Sequence, residues 1–219
     1  MLNFPLPSGP RLSRVLALGS HADDIEIGCG ATLLALTRTR PDLELTWVVL
    51  GAHGRREREA RASAEAFVGP ATSSEVVVHG FRDGFFPYVG GEVKDVFEDL
   101  KSRLDPDLIL THGRHDLHQD HRLVCELTWN TWRDHLILEY EIPKYDGDLG
   151  TPNVFVPVSE DLVREKARLV LDAFESQREK HWFTEELFLG LMRIRGMEGR
   201  SPSGYAEAFT CRKLSLLIE

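Results

Sequence analysis

Short apolar segments alternate with helix-forming segments through the first half of the chain, and this alternation limits the fold more than any other feature. Four segments have the length and composition of buried strands, at residues 15–19, 43–50, 75–79 and 107–111. The segments between them are helical in pattern, as in residues 93–104, where apolar side chains recur at helical spacing. Strands that alternate with helices form βαβ units with parallel strands. The sequence therefore predicts an α/β protein with a Rossmann-like, mostly parallel sheet flanked by helices.

The last third of the chain is less regular. Residues 136–142 alternate like a strand and residues 162–174 are helical in pattern, while residues 145–152 and 196–204 are rich in turn-forming residues. A length of 219 residues suits one domain, so we expect residues 1–219 to form a single unit. A chain of this length buries roughly 70% of its unfolded surface, so it needs no disulfide or metal merely to fold.

Charge and cysteine content exclude several classes of protein. The net charge of −9 and the pI of about 5.5 argue against non-specific binding to nucleic acid or to an anionic membrane, because both need a basic surface. No apolar run reaches about 18 residues, which predicts no membrane span, and the N-terminal segment lacks the apolar stretch of a signal peptide. The cysteines Cys29, Cys125 and Cys211 lie far apart, so neither a disulfide framework nor a thiolate zinc site is expected. We therefore expect a cytoplasmic protein with no nucleic-acid partner.

Two clusters of histidine and aspartate follow the first and the fourth predicted strands. The first is His-Ala-Asp-Asp at residues 21–24, and the second is His-Asp-Leu-His-Gln-Asp-His at residues 115–121. Because a parallel sheet binds ligands beyond the carboxyl ends of its strands, we expect both clusters at one edge. Imidazole and carboxylate suit zinc or another borderline divalent ion. Two adjacent aspartates can point in different directions, so one can bind the metal while the other acts as a general base.

Two other interpretations of these residues stay open. Either cluster alone is compatible with a helix cap or a solvated loop, although the presence of both after buried strands favours a metal site. The segment Gly28-Cys29-Gly30 also raises the alternative of a nucleotide-binding oxidoreductase or transferase. Against it, the full GxGxxG fingerprint is missing, and two aspartates lie where a pyrophosphate needs backbone donors.

The two clusters resemble the motifs of the LmbE-like, or PIG-L, family of zinc-dependent N-deacetylases. That family is marked by His-Pro-Asp-Asp after the first strand and His-Pro-Asp-His after a later one, and this chain has His-Ala-Asp-Asp at 21–24 and His-Gln-Asp-His at 118–121. Weaker matches follow in the expected order, at residues 56–59, 81–84, 176–177 and 205–209. The resemblance covers about residues 14–209, which we take as the core of the domain.

Both motif prolines are replaced, by Ala22 and Gln119. Proline stiffens a turn and supplies no chemistry, so the ligand set is retained. The rigidity of the two loops and the substrate preference are the properties that these replacements put in question.

The resemblance implies a role for each motif residue. His21, Asp24 and His121 would bind the metal, which is Zn²⁺ in the family, with another divalent ion such as Fe²⁺ as the alternative. Asp23 would be the general base that deprotonates the metal-bound water. A protonated His118 would stabilise the oxyanion of the tetrahedral intermediate.

Two further residues have expected roles beside these. Asp120 would hold the ring of His118 through a hydrogen bond. Arg56, in the Arg-x-x-Glu match, is a candidate contact for a substrate hydroxyl or phosphate.

The implied activity is a metal-dependent hydrolase that removes an N-acetyl group from an N-acetylglucosamine-type amino sugar or its conjugate. An amidase acting on thiol-sugar conjugates and a non-catalytic sugar-binding member of the same fold are the alternatives. The expected partner is a small-molecule amino sugar. Relatives often form symmetric oligomers, so a homo-oligomer is an open expectation that no surface patch in the sequence supports.

The remaining candidates have simpler explanations. His112 and His115 are expected to be loop residues that line the pocket wall, and Asp116 either supports the site or caps the following helix. Cys29, between two glycines, is expected to be a small packed residue. The other histidines are not part of any cluster of potential metal-binding or catalytic residues in the sequence. They are expected to be structural, namely His53, His79, His135 and His181. The loops at 145–152 and 196–204 are expected to shape specificity.

Overall fold

The computed structural model describes residues 12–69 and 73–215. These residues contain the strands β1 (Arg14–His21), β2 (Glu44–Gly51), β3 (Ser73–Val78), β4 (Leu108–His112), β5 (Leu136–Tyr140), β6 (Val154–Pro157) and β7 (Ala206–Thr210). They also contain the helices α1 (Asp24–Thr39), α2 (Arg55–Val68), α3 (Gly90–Arg103), α4 (Gln119–Thr131), α5 (Glu160–Ala173) and α6 (Glu185–Glu198). None of these helices is long and apolar enough to cross a membrane.

The strands form one sheet in the order β3-β2-β1-β4-β5-β7-β6. The first five strands pair in parallel, while β7 is antiparallel to both of its neighbours. The prediction of a mostly parallel α/β sheet flanked by helices is therefore confirmed. The strand order reverses between β1 and β4, and in open sheets of this kind the crevice at such a point binds the ligand.

Alternate side chains of the central strands pack into two hydrophobic layers, one on each face of the sheet. On one face, Ala17 of β1 belongs to the same cluster as Leu33 of α1 and Phe67 of α2. On the other face, Leu16 and Leu18 of β1 pack in a cluster formed with α3, α4 and Trp132. Because β1 and β4 are covered on both faces, their sequences are continuously apolar, which is why they were recognisable as strands.

Two strands and two element boundaries differ from the predictions. Two short strands, β6 and β7, were not predicted, because four or five residues at the edge of a sheet carry little periodicity. The predicted loop at residues 196–204 begins later, since α6 extends to Glu198. Helix α1 begins at Asp24, whereas the sequence placed its start after the Gly28-Cys29-Gly30 segment.

The Gly28-Cys29-Gly30 segment lies inside α1, at a break in its hydrogen bonding. Cys29 has non-helical backbone angles (φ −143°, ψ 17°) and a fully buried side chain, as expected for a packed residue. A Cβ atom at Gly28 would lie 2.2 Å from the Tyr140 ring, and one at Gly30 would lie 2.6 Å from the Phe67 ring. These glycines therefore let α1 approach its neighbours closely and leave no opening for a pyrophosphate, which removes the support for a nucleotide-binding site.

A buried ion pair satisfies the groups that the break in α1 exposes. The carboxylate of Glu207, on β7, accepts hydrogen bonds from the backbone N–H groups of Ala31 (2.9 Å) and Thr32 (2.7 Å). Lys166 of α5 donates to Glu207 (2.6 Å) and to the carbonyl oxygen of Ile27 (2.7 Å) on the other side of the break. Both side chains are at least 97% buried, so each depends on the other to compensate its charge.

Removing the charge of Lys166 tests this role. We expect Lys166→Met to lower the free energy of unfolding by about 3 kcal/mol, because it leaves the Glu207 carboxylate buried without its cation. Urea unfolding followed by circular dichroism measures the change. The matched control is Arg164→Met on the same helix, whose ion pair with Glu160 is exposed and whose loss should not be measurable. A Lys166→Met variant as stable as this control would contradict the assigned role.

Candidate metal centre

The two sequence motifs meet at the carboxyl edge of the sheet, where β1 and β4 end. His21 is the last residue of β1 and Asp24 is the first residue of α1, while His121 lies in the first turn of α4. His121 Nε2 lies 3.2 Å from His21 Nδ1 and 3.5 Å from Asp24 Oδ2, and His21 Nδ1 lies 3.4 Å from Asp24 Oδ2. The three ligands that the resemblance implies are thus brought together.

Their spacing and chemistry fit a zinc ion. With metal–ligand bonds near 2.0 to 2.1 Å, two ligand atoms of a tetrahedral site are about 3.3 Å apart, which is close to the spacing in this cluster. Three side chains would leave a fourth position open, as catalytic zinc sites do. Besides this triad, three overlapping groups among the described residues also have metal-ligand spacing: His21/His118/His121, Asp24/His112/His121 and His21/Asp83/His118/Asp120.

His112 belongs to this cluster, and its expected place in a loop was wrong. It is the last residue of β4 and is completely buried. Its ring stacks on the His121 ring with centroids 3.9 Å apart, and its Nε2 lies 3.3 Å from Asp24 Oδ2. Nε2 accepts a hydrogen bond from the Ser20 N–H (3.0 Å), which places the proton on Nδ1. Its position at the end of a buried strand, next to the second motif, was the signal in the sequence.

Asp116 supports the site, which was one of its two expected roles. Its Oδ2 atom accepts a hydrogen bond from His121 Nδ1 (2.8 Å), so that Nε2 of that ring faces the cluster. Lys144 Nζ lies 2.9 Å from the same oxygen. Although burial alone would raise it, the pKa of Asp116 is held below its usual range by the hydrogen bond and charge of His121, with Lys144 adding to the effect. Asp116 therefore orients His121 as an ionised carboxylate.

The Asp120 carboxylate contacts the His21 ring, in addition to the backbone contact of Asp120 with His118. Its carboxylate accepts hydrogen bonds from the backbone N–H groups of Gly84 (2.6 Å) and Phe86 (3.1 Å), and Oδ2 lies 3.1 Å from His21 Nε2. Asp120 holds the His118 ring only through its backbone N–H (3.3 Å), and its carboxylate forms no hydrogen bond with that ring. Asp120 thus contacts the ring nitrogen of His21 that faces away from the cluster, as Asp116 does for His121.

His118 caps the N-terminus of α4. Its Nδ1 atom accepts a hydrogen bond from the Asp120 N–H (3.3 Å), so a neutral ring carries its proton on Nε2. Burial and the charges of His121 and His21 lower the pKa of His118. This environment favours a neutral ring over the protonated one that the resemblance implies.

Asp23 and Arg56 form an ion pair beside the cluster. Arg56 Nη2 lies 2.8 Å from Asp23 Oδ1, and Nη1 donates to Ser176 Oγ (3.3 Å). Glu59 accepts hydrogen bonds from the backbone N–H (2.9 Å) and the hydroxyl (2.5 Å) of Ser176. The weak matches at residues 56–59 and 176–177 therefore form one network that ends on Asp23. The sequence offered Arg56 as a candidate substrate contact, and in the structure its guanidinium pairs with Asp23.

Asp83, in the segment before the short 3₁₀ helix at Phe86–Val89, was given no role by the sequence. Its side chain is 76% exposed, yet Oδ1 lies 3.1 Å from His21 Nε2 and 3.9 Å from His118 Nε2. The hydrogen bond with His21 lowers the pKa of Asp83 to about 2. The loop is also held by Gln119, whose side-chain amide donates to the Gly84 carbonyl oxygen. The residue that replaces the motif proline thus supplies a contact that proline cannot make.

The other expected structural histidines lie outside the cluster. Within the described residues, none of His53, His79, His135 and His181 belongs to a group that could hold a metal. His115 is exposed near the second motif and is likewise absent from these groups.

Comparison with known proteins identifies similar sequences and structures. The family PIG-L, described as GlcNAc-PI de-N-acetylase, matches residues 16–132. No curated protein sequence matches the chain significantly. The conserved protein TT1542 from Thermus thermophilus superposes with a TM-score of 0.74 at 19% identity, covering 93% of this chain and 96% of that one.

Two similar structures have named activities. N,N'-diacetylchitobiose deacetylase from Pyrococcus horikoshii has a TM-score of 0.68 at 18% identity, and the match covers 91% of this chain and 83% of that one. GalB, the 4-carboxy-2-hydroxymuconate hydratase of Pseudomonas putida KT2440, has a TM-score of 0.69 at 15% identity, with 95% and 99% covered. At these identities the likeness shows a shared fold, and the two named reactions differ.

Replacing His121 tests the metal centre. We expect His121→Ala to weaken zinc binding at least about 100-fold, because this residue belongs to two of the three candidate groups. Competition with a chromophoric chelator measures the affinity. His115→Ala is the matched control and should bind zinc like the unaltered protein. Equal affinities for the two variants would place the metal elsewhere.

Proposed function

Since the chain belongs to the PIG-L family, described as GlcNAc-PI de-N-acetylases, we propose that it is a metal-dependent hydrolase that removes an N-acetyl group from an N-acetylglucosamine-type amino sugar or its conjugate. The observation that carries this proposal is the convergence of His21, Asp24 and His121 at metal-ligand spacing. The carboxylate of the neighbouring Asp23 is not part of this triad and pairs with an arginine instead. Metal-assisted amide hydrolysis uses a metal position and a general base next to each other.

His21, Asp24 and His121 are the residues that would hold the metal, which we take to be zinc. A bound zinc ion, or another divalent ion such as Fe²⁺, supplies Lewis acidity that polarises an amide carbonyl and lowers the pKa of a coordinated water. Asp116 and Asp120 would keep the two imidazole rings in the orientation that binding requires.

Asp23 is the proposed general base. The Arg56 guanidinium holds one of its carboxylate oxygens at 2.8 Å, which leaves the other to accept a proton from the attacking water. The water oxygen forms a bond to the amide carbon, and the C–N bond then breaks. The proton taken by Asp23 passes to the leaving nitrogen, so the products are acetate and the free amine.

His118 is the proposed oxyanion donor. Its Nδ1 atom is occupied by the Asp120 N–H, so Nε2 presents an N–H to the cluster. A donor fixed in position before the reaction stabilises the negative charge that develops on the carbonyl oxygen. This role needs only the neutral ring, in agreement with the lowered pKa of His118.

The two alternative functions would depend on the same residues. An amidase on thiol-sugar conjugates would cleave a different amide by the same steps. A non-catalytic sugar-binding protein would keep the metal without turnover, but the presence of the base, its arginine and the oxyanion donor argues for a reaction.

Acetate release tests the proposed base. We expect zinc-loaded Asp23→Asn to hydrolyse N-acetylglucosamine conjugates about 10²–10⁴-fold more slowly, because the amide cannot accept the proton. Zinc content should stay unchanged, and Asp42→Asn, an exposed aspartate remote from the site, is the control. Full activity in Asp23→Asn would exclude this residue as the base. No acetate from any conjugate, with zinc bound, would shift the assignment to one of the two alternatives.

The ion pair with Asp23 makes a separate kinetic prediction for Arg56. If Arg56 positions the base, Arg56→Met should lower kcat by about 10-fold or more with a smaller effect on KM, since the loss falls on the transition state. Steady-state kinetics on the best conjugate separate the two constants. Arg58→Met, on the same helix but bonded to Gly54, is the control. A raised KM with an unchanged kcat would instead make Arg56 a substrate contact.

A further inference from the structure

The loop between β5 and β6 (residues 141–153) contacts the segment that leads into the second motif. Lys144 Nζ lies 2.9 Å from Asp116 Oδ2, and Asp148 Oδ2 accepts a hydrogen bond from the backbone N–H of Leu117 (2.6 Å). Lys144 Nζ also lies 2.6 Å from Asp148 Oδ2, so its ammonium group joins the two contacts. We call these four residues the loop clamp. Neither of its two loop residues belongs to a motif matched in the sequence.

The loop clamp is buried although three of its members are charged. The side chains of Asp116 and Asp148 are 6% and 5% exposed, and that of Lys144 is 13% exposed. Two buried carboxylates that share one ammonium group depend on it, because its removal leaves both of them without charge compensation. The clamp therefore depends on Lys144.

The loop clamp ends on a residue that supports the metal centre. The Asp116 oxygen that faces Lys144, Oδ2, also accepts the hydrogen bond from His121 Nδ1 (2.8 Å), while Oδ1 accepts from the His118 N–H (2.8 Å). Loss of a carboxylate behind a ligating histidine typically weakens metal binding about 10–100-fold. The orientation of the His121 ring thus depends on a carboxylate that the loop helps to hold.

The tip of the loop is otherwise in contact with solvent. Residues 145–147 and 149–151 are exposed, and Asp148 between them is the part of the tip that is buried. Outside the clamp, Tyr145 Oη lies 3.3 Å from His181 Nδ1, and the Gly150 carbonyl oxygen accepts from Arg195 (3.1 Å). Exposed segments of this kind open locally at a lower free energy than buried strands do. The clamp is therefore the contact that would change if the tip moved.

We propose that Lys144 is a positioning residue that couples the loop between β5 and β6 to metal binding. When the clamp is closed, Asp116 is held where it orients His121, so the closed form binds the metal more tightly. By thermodynamic linkage, a bound metal favours the closed clamp by the same factor. This inference rests on the metal centre of the proposed function, and it adds a residue outside the motifs that sets the affinity of that centre.

The zinc affinity of substituted proteins tests this coupling. We expect Lys144→Met to weaken zinc binding about 10-fold in competition with a chromophoric chelator. Lys144→Arg keeps the cation and should restore most of the affinity. Lys180→Met, on a different and exposed loop, is the matched control and should bind zinc like the unaltered protein.

A double substitution shows whether Lys144 acts through Asp116. In Asp116→Asn, the further change Lys144→Met should have little additional effect on zinc affinity, because both changes remove the same support of His121. Additive losses would overturn the coupling. An affinity that Lys144→Met leaves unchanged, or that Lys144→Arg fails to restore, would overturn it as well.

The Leu117 amide reports the state of the clamp in the unaltered protein, because its N–H donates to Asp148. We expect zinc to slow hydrogen exchange at this amide by about 10-fold, the same factor as the change in affinity, when exchange is followed by NMR. Lys144→Met should remove this effect of zinc. An exchange rate at Leu117 that zinc does not change in the unaltered protein would overturn the inference without any substitution.

Neither measurement involves acetate release, so this inference and the proposed function can fail separately. Coupling between zinc and the clamp, without acetate release from any conjugate, would support the inference and contradict the proposed function. Acetate release with no effect of Lys144→Met on zinc affinity, and none of zinc on Leu117 exchange, would overturn the inference and leave the function standing.

Discussion

The parallel pairing of β1 with β4 is the constraint on which the candidate site depends. Three residue pairs define the register: Val15 with Leu108, Leu16 with Ile109 and Ala17 with Leu110. Both strands are buried and run in the same direction, so their ends meet at one edge of the sheet where the strand order reverses. His21 and His121, 100 residues apart in the chain, become neighbours as a result. A slip of one residue in either strand would turn its side chains to the opposite face and separate the two motifs.

Four histidines lie close together at this edge, and two of them have a supporting carboxylate on the ring nitrogen that faces away from the cluster. Asp116 stands behind His121 and Asp120 stands behind His21, and each carboxylate is held in turn by backbone N–H groups. Carboxylates behind ligating histidines fix the ring orientation and raise ligand basicity. The contacts of Asp120 with Gly84 and of Asp116 with Lys144 join the loops that follow β3, β4 and β5 to the centre. Lys144, Asp148 and the ring of His121 are therefore joined through Asp116 in one network of ion pairs and hydrogen bonds.

The irregular last third of the chain completes the helix that carries the first motif. Helix α1 must present Asp24 at the edge of the sheet and also pack within contact of Tyr140 and Phe67, which requires glycines at 28 and 30 and a break at Cys29. Glu207 from β7 and Lys166 from α5 satisfy the backbone groups at that break. Short elements with weak sequence signals thus stabilise the part of the fold that holds the candidate metal ligands.

The sequence by itself determined the α/β class, the parallel strands and the two motifs, because periodicity and strand-end clusters are local properties. Family resemblance added roles for the motif residues, of which the convergence of His21, Asp24 and His121 is visible in the structure. Only the tertiary structure decided which side chains face one another: Arg56 on Asp23, Asp120 on His21, and His112 stacked on His121. It also decided the edge strands β6 and β7. These features arise from contacts between segments that are distant in the chain. They form only once the sheet has fixed the register of its strands, so local sequence patterns do not reveal them.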